Sequence, residues 1–157
     1  MPIRRIRMNQ ERIMKRRMVS AIIVAIVTLV ALLVFIGLYI DETKRVQETY
    51  KLQYKVNLAH VSEDLESYIN GEGDYEMKYT RLVSDMSSVN SFAFLIDDFT
   101  EQQKAINQIN SCLIKYPVQM KTKLEELKTI VDDISQDLDK GYENAFKLVE
   151  SINKLGE

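Results

Sequence analysis

The chain has little of the residues that mark enzymes, metal sites and disulfide-rich domains. It contains one cysteine, one histidine, two prolines, five glycines and no tryptophan. A single cysteine, Cys112, excludes a disulfide within the chain and leaves either a buried thiol or a bridge to another chain. Its place between Ile109 and Leu113, in an apolar pattern, favours the buried thiol. With so few prolines and glycines, only a few positions force a helix to end.

The single histidine argues against a metal centre in a helical bundle, because such centres take Glu-x-x-His motifs from two helices. His60 is expected to be a solvated side chain close to the carboxylates of Glu63 and Asp64. The acidic residues that follow Asp137 do not form a calcium loop, since the sixth position lacks glycine and the twelfth lacks glutamate. No glycine-rich phosphate loop and no nucleophile with a nearby base is recognisable. The sequence therefore predicts no enzymatic activity, no cofactor and no metal.

One long apolar run dominates the sequence. Residues 18–40 are 23 positions without a charged side chain, and about 20 apolar residues let an α-helix cross a hydrocarbon core about 30 Å thick. A cleaved signal peptide is the rival interpretation. The run is longer than a signal-peptide core, and its end at residues 35–40 has no pair of small residues for cleavage. The sequence thus predicts a retained transmembrane helix.

Charge is distributed unequally around this run. Residues 1–40 carry seven basic residues and one acidic residue, for a net charge of +6, and residues 41–157 carry 14 basic and 22 acidic residues, for −8. By the positive-inside rule, residues 1–17 form a basic cytoplasmic tail, and residues 41–157 form one extracytoplasmic domain on the far side of a cell membrane, with a bacterium as the expected source. Nucleic acid is not an expected partner of so acidic a domain. The candidate residues for contact with lipid headgroups are Arg4, Arg5, Arg7, Arg12, Lys15, Arg16 and Arg17.

A pair of small residues lies on one face of the predicted transmembrane helix. Ala21 and Ala25 form a small-x-x-x-small pattern that lets two helices approach closely. Such pairs are also common by chance in alanine-containing spans. Packing of two transmembrane helices at this pair is therefore one hypothesis, and a lipid-exposed pair is the other.

The extracytoplasmic segment predicts an all-α fold. Apolar residues recur at spacings of three and four, and no stretch alternates with a period of two. We expect an antiparallel bundle of three long or four unequal helices, with the first continuous with the transmembrane helix. Breaks are expected at Gly71 and Gly73, where Asp74 can cap the next helix, and at Pro117. The expected helices are residues 41–70, 75–87, 91–115 and 118–155.

The break between the second and third helices has two candidate positions. One is the polar segment of residues 87–91, and the other is the capping-box pattern Thr100-Glu101-Gln102-Gln103. The sequence favours the first. Without a break, a straight return of this length would extend past the first helix towards the bilayer.

Residues 91–99 are too apolar for a single helix stripe. Phe92 and Phe99 can face inward, but Phe94 and Leu95 point elsewhere. These side chains either are buried between several helices of the same domain or form an exposed surface for a protein partner or the membrane. The candidate partner interface is Phe92, Phe94, Leu95 and Phe99. Leu52 and Val56 also lie off the main stripe of the first helix, which indicates a second contact face there.

These observations favour a membrane-anchored structural or interaction protein, an extracytoplasmic helical scaffold or accessory subunit of an envelope complex, whose partner is another protein or a second copy. The helix order also resembles the extracytoplasmic domains of bacterial chemoreceptors and sensor kinases. This resemblance implies ligand sensing, here through a partner membrane protein because the chain lacks a second span and an output module. The layout further resembles inner-membrane spanins of phage lysis and small bitopic division proteins, whose coiled coils lack the breaks at Gly71, Gly73 and Pro117.

Overall fold

The computed structural model of the chain is all-helical in the part that it describes, residues 3–71 and 73–152, with side chains described from residue 10 onward. The predicted all-α class is confirmed. Six helices and no strand occur in these residues: α1 (Ile3–Asn70), α2 (Tyr75–Ala93), α3 (Thr100–Lys115), α4 (Pro117–Lys121), α5 (Leu124–Gln136) and α6 (Tyr142–Glu150). The chain divides into two compact units, residues 1–45 and residues 46–157.

The first unit presents its apolar side chains to the outside. Every large apolar side chain from Met18 to Ile40 is at least 46% exposed. Among the described helices, α1 alone is long and apolar enough to cross a membrane, and its most apolar window has a mean hydropathy of 3.2 with none of it buried. A helix of this length and composition is shared by retained anchors and signal sequences.

The second unit has a continuous apolar core. From α1 the core takes Tyr54, Leu58, Val61 and Leu65, all 0% exposed, and their spacing of three and four places them on one face of the helix. The predicted stripes of the later helices also enter this core, through residues such as Leu82, Met86, Ile106, Ile109, Leu127, Ile134 and Leu148. Leu155, which the sequence predicts for the last stripe, lies outside the described residues.

Helices α2, α3, α5 and α6 pack on one another in this unit. Helix α2 packs on α3, α3 packs on α6, and α5 packs on α6. The hydroxyl of Tyr79, near the start of α2, donates to the carbonyl of Leu113, near the end of α3, at 2.8 Å. Further along α2, the amide of Asn90 donates to Asn107 at 3.4 Å. These bonds pair the start of one helix with the end of the other.

The turn after α1 has the chemistry that the sequence predicts. Helix α1 ends at Asn70, and the Asp74 side chain caps α2 by accepting a hydrogen bond from the backbone N–H of Met77 at 3.0 Å. Gly73 has a φ of 118°, a conformation that a residue with a Cβ rarely adopts. Of the two glycines, Gly73 is the one with a positive φ.

The predicted break at residues 87–91 is wrong, because α2 continues through it to Ala93. The hydroxyls of Ser87, Ser88 and Ser91 donate to carbonyls four residues earlier, so the helix accommodates them. Helix α3 begins at Thr100, the second candidate position, but Phe99 is its N-cap and has no side-chain cap bond. The capping box itself is therefore not formed.

The predicted single helix of residues 118–155 is also wrong. Three helices replace it, with turns after Lys121 and after Gln136. Gly141 takes a φ of 85° at the N-cap of α6, and a Cβ there would lie 2.8 Å from Cγ1 of Ile134. Apolar spacing continues across both turns, since each turn returns the chain to the same core.

Candidate interaction surfaces

The connection between α2 and α3, residues Phe94–Phe99, carries exposed and buried apolar side chains in turn; we term it the apolar loop. Phe94 is 56% exposed and Leu95 is 47% exposed, whereas Ile96 is 1% and Phe99 is 5% exposed. Asp98 holds a φ of 63°, in the left-handed region that asparagine and aspartate enter more readily than most residues. The loop thus turns two apolar side chains inward and two outward.

Gln47, on α1, fixes the position of this loop. Its side-chain amide donates to the carbonyl of Leu95 at 3.2 Å, and its side-chain oxygen accepts from the backbone N–H of Asp97 at 2.9 Å. The amide of Gln103 also donates to the carbonyl of Ile96 at 3.3 Å. Nothing in the sequence marks Gln47, because both of its bonds join residues about fifty positions apart.

The structure separates the four residues of the predicted partner interface. Phe94 and Leu95 are on the surface, and Phe92 is half-buried. Phe99 lies in the core, with its ring centroid 5.8 Å from that of Tyr54 and 6.4 Å from that of Tyr142. Phe99 is therefore unavailable to a partner, and burial of Phe94 and Leu95 between helices of the same unit does not occur.

A second apolar surface lies on α1. Leu52 is 59% and Val56 is 40% exposed, and residues four apart are neighbours on a helix surface. Both lie on the side of α1 opposite to Tyr54 and Leu58, which are fully buried. We term this pair the outward face of α1.

The predicted lipid-contact residues are described only in part. Arg12, Lys15, Arg16 and Arg17 are exposed, and the side chains of Arg4, Arg5 and Arg7 lie outside the described residues. Ala21 and Ala25 are both exposed, one helical turn apart.

Asp64 is buried, although the sequence places it one helical turn from a solvated His60. Its side chain is 4% exposed, and its Oδ1 pairs with Nε of Arg81 at 2.8 Å, while its Oδ2 is buried without a hydrogen-bond partner in the described structure. Burial, followed by the neighbouring carboxyl group of Asp85, raises the pKa of Asp64 to about 6, against the lowering effect of Arg81. His60 is exposed, as the sequence predicts.

A cleft of about 380 Å³ adjoins Asp64 between the end of α1 and the start of α2. Its lining combines two acidic and two basic side chains with Ser67 and Met77; the charged residues are Asp64, Asp74, Lys78 and Arg81. The Lys78 ammonium donates to the carbonyl of Ser67 at 2.9 Å and lies 5.7 Å from the ring centroid of Tyr75.

The remaining candidates from the sequence are structural. Cys112 is 3% exposed in the core, as expected of a buried thiol. Asp137 pairs with Lys140 at 2.7 Å and accepts the backbone N–H of Asp139 at 3.2 Å, so this acidic segment forms a local turn. Within residues 3–71 and 73–152, no group of three or more histidine, cysteine, aspartate or glutamate side chains is arranged to hold a metal ion.

Comparison of the chain with models of protein families, with characterised proteins and with solved structures finds no match.

Proposed function

We propose that the protein is a membrane-anchored interaction protein, a helical scaffold or accessory subunit of an envelope complex. In this proposal residues 18–40 cross the membrane, residues 1–17 stay in the cytoplasm, and residues 41–157 form an extracytoplasmic antiparallel bundle. The anchor is supported by the exposure of every large apolar side chain from Met18 to Ile40. The orientation is supported by the basic residues that precede it.

A single-cysteine experiment tests the orientation. In a Cys112→Ser background, a cysteine replaces either Gln10 or Glu101, both of which are exposed. A membrane-impermeant maleimide added to intact cells should label position 101 and leave position 10 unlabelled until the membrane is permeabilised. The reverse pattern, or labelling at both positions, would overturn the proposed topology.

The outward face of α1 is the feature that best supports contact with a protein partner. A helix of a packed unit normally turns its large apolar side chains to the core, and here the core stripe of α1 is complete without Leu52 and Val56. The partner that this face fits is an α-helix of another envelope protein, packed along α1. Two side chains bury little area, so the contact must continue along α1 to reach the roughly 1,200 Å² typical of a stable interface.

Site-specific photo-crosslinking tests this contact. A photoreactive residue at Leu52 in the full chain, expressed in its native membrane, should capture one discrete protein, and Val56→Ser should reduce the yield. The matched control carries the photoreactive residue at Met77, which is 68% exposed. Equal capture from positions 52 and 77, or no effect of Val56→Ser, would show that the outward face of α1 is not the interface. Capture of a second copy would make the assembly a homo-oligomer and exclude the other envelope protein.

The cleft beside Asp64 favours ligand sensing as a second candidate function. A small ligand with a protonated amine would pair with the two acidic side chains that line the cleft, Asp64 and Asp74. Small primary amines and amino acids should then raise the melting temperature of the wild-type chain and not that of the Asp64→Asn variant. An equal response of the two chains would remove this candidate.

A further inference from the structure

The apolar loop exposes two adjacent side chains that the fold holds in place. Phe94 and Leu95 lie outside while Ile96 and Phe99, on the same loop, are anchored in the core. Rotation of the loop to bury Phe94 would expose Phe99, whose ring packs against Tyr54 and Tyr142. The outward position of Phe94 and Leu95 is therefore fixed by the packing beneath them.

Hydrogen bonds also hold the backbone of the loop. Gln47 binds the carbonyl of Leu95 and the N–H of Asp97, and Gln103 binds the carbonyl of Ile96. A flexible loop that carries apolar residues can fold them away from water, but this one is held open. Adjacent exposed apolar side chains are one mark of a contact site.

Connectivity limits the distance between this pair and the end of the apolar run. Gln47 lies seven residues beyond Ile40, and seven residues span at most about 25 Å in any conformation. The polar headgroup layer is itself several ångströms thick. Since Gln47 is bonded directly to the loop, the chain length limits how far the loop can lie from a membrane that ends at Ile40.

We propose that Phe94 and Leu95 insert into the interfacial layer of the same phospholipid bilayer that residues 18–40 span. This inference rests on the membrane anchor of the proposed function. Phenylalanine and leucine are side chains by which peripheral helices and loops enter the headgroup and acyl boundary. Asp97 and Asp98 follow the pair and are exposed, so the contact favours zwitterionic over anionic lipids.

In this arrangement the loop restricts the tilt of the bundle relative to the membrane. A bundle attached to the membrane only at α1 is free to tilt about that attachment, whereas a second contact at the loop restricts the tilt. Val118, 71% exposed at the start of α4, belongs to the other end of the unit, where Lys121 pairs with Glu76 at 2.7 Å. It is therefore the natural comparison site for lipid contact.

Tryptophan fluorescence tests the proposal, because the chain contains no tryptophan and one substitution creates a single reporter. The full chain carrying Phe94→Trp is reconstituted into phosphatidylcholine vesicles with and without brominated acyl chains. We expect blue-shifted emission and about twofold quenching by the brominated lipid. The matched chain carrying Val118→Trp should emit as an exposed indole and remain unquenched. Leu95→Trp serves as a second reporter should Phe94→Trp disturb the loop.

The outcomes separate this inference from the anchor on which it depends. If the chain floats with the vesicles and resists alkaline extraction, but a tryptophan at position 94 or 95 is quenched no more than one at position 118, the loop contact is overturned while the anchor stands. Phe94 and Leu95 would then be expected to contact a protein partner. If alkaline extraction releases the chain, both the anchor and the loop contact fail. Quenching at positions 94 and 95 that falls when anionic lipid is added supports the inference in full.

Discussion

Gln47 joins α1 to the apolar loop through both ends of its side-chain amide, donating to the carbonyl of Leu95 at 3.2 Å and accepting from Asp97 at 2.9 Å. Gln47→Leu should remove both bonds and loosen the loop, at a cost of about 1–2 kcal/mol. Amide hydrogen exchange should accelerate in residues 94–99 and stay unchanged in the turn at residues 70–75. Equal acceleration in both segments would show global destabilisation and contradict a local role.

The two phenylalanines of the apolar loop should contribute unequally to the free energy of unfolding. Phe99→Ala should lower the free energy of unfolding by about 3–5 kcal/mol, because it opens a cavity beside Tyr54 and Tyr142. Phe94→Ala should change it by no more than about 0.5 kcal/mol, since this side chain is exposed. Chemical denaturation of the detergent-solubilised chain, followed by circular dichroism, measures both values. Comparable losses would mean that Phe94 is buried in solution.

Tyr54 and Tyr142 share a buried hydrogen bond, with their hydroxyl oxygens 3.2 Å apart. Tyr54→Phe or Tyr142→Phe alone should cost about 1–2 kcal/mol, because each leaves the other hydroxyl buried without this partner. The double variant should cost less than the sum of the two, with a coupling energy of about 1 kcal/mol in a double-mutant cycle. Additive losses would show that the two hydroxyls do not depend on each other.

Two glycines with positive φ should respond differently to alanine. Gly73→Ala should cost only the strain of the backbone conformation, about 1–3 kcal/mol, because no atom beyond its chain neighbours lies within 4 Å of the added Cβ. Gly141→Ala should cost more, since its Cβ would meet Cγ1 of Ile134 at 2.8 Å. Thermal unfolding of the two variants beside the wild type gives the comparison. A smaller loss at Gly141 than at Gly73 would contradict the close approach.

Asp64 should make stability depend on pH. Burial raises its pKa from 3.8 to about 6, so between these values the folded state binds the proton more tightly than the unfolded state. The group therefore contributes stability that is fully present below about pH 4 and is lost as the pH rises through about 6. The loss should amount to roughly 1–3 kcal/mol.

Asp64→Asn isolates this contribution, because the amide keeps the shape and cannot ionise. We expect the variant to match or exceed the wild type in stability at pH 7 and to fall behind it at pH 4. Denaturation curves of both chains at intervals from pH 4 to pH 7 measure the difference. Parallel pH dependences would show that Asp64 has an ordinary pKa in the folded chain.

Local sequence signals predicted those parts of the fold that depend on local chemistry. The end of α1 at Asn70 and the cap at Asp74 follow from backbone preferences within a few residues, and so does the start of a helix at Pro117. The serines at positions 87, 88 and 91 misled the prediction, because a serine hydroxyl can either break a helix or bond back to it. The packing of α2 on α3 favours the second outcome.

The position of Asp64 shows the limit of sequence patterns more sharply. Asp64 lies beside His60 and Glu63 in the sequence, and these polar neighbours indicate a solvated carboxylate. Arg81 and Asp85 reach it from α2, and no spacing along the chain reveals that approach. The bonds of Gln47 to residues 95 and 97 are of the same kind, since they exist only once α1 and the apolar loop are packed together.

By itself, the sequence determined the all-α class, the apolar run of residues 18–40 with its basic flank, and the stripes that supply the core. These features depend on composition and on the period of the helix, and neither depends on tertiary contacts. Tertiary structure alone decided which face of the segment at residues 92–99 is buried. Packing against Tyr54 and Tyr142 draws Phe99 inward, and Phe94 and Leu95 are left outside because one loop cannot turn all of its apolar side chains towards a single core.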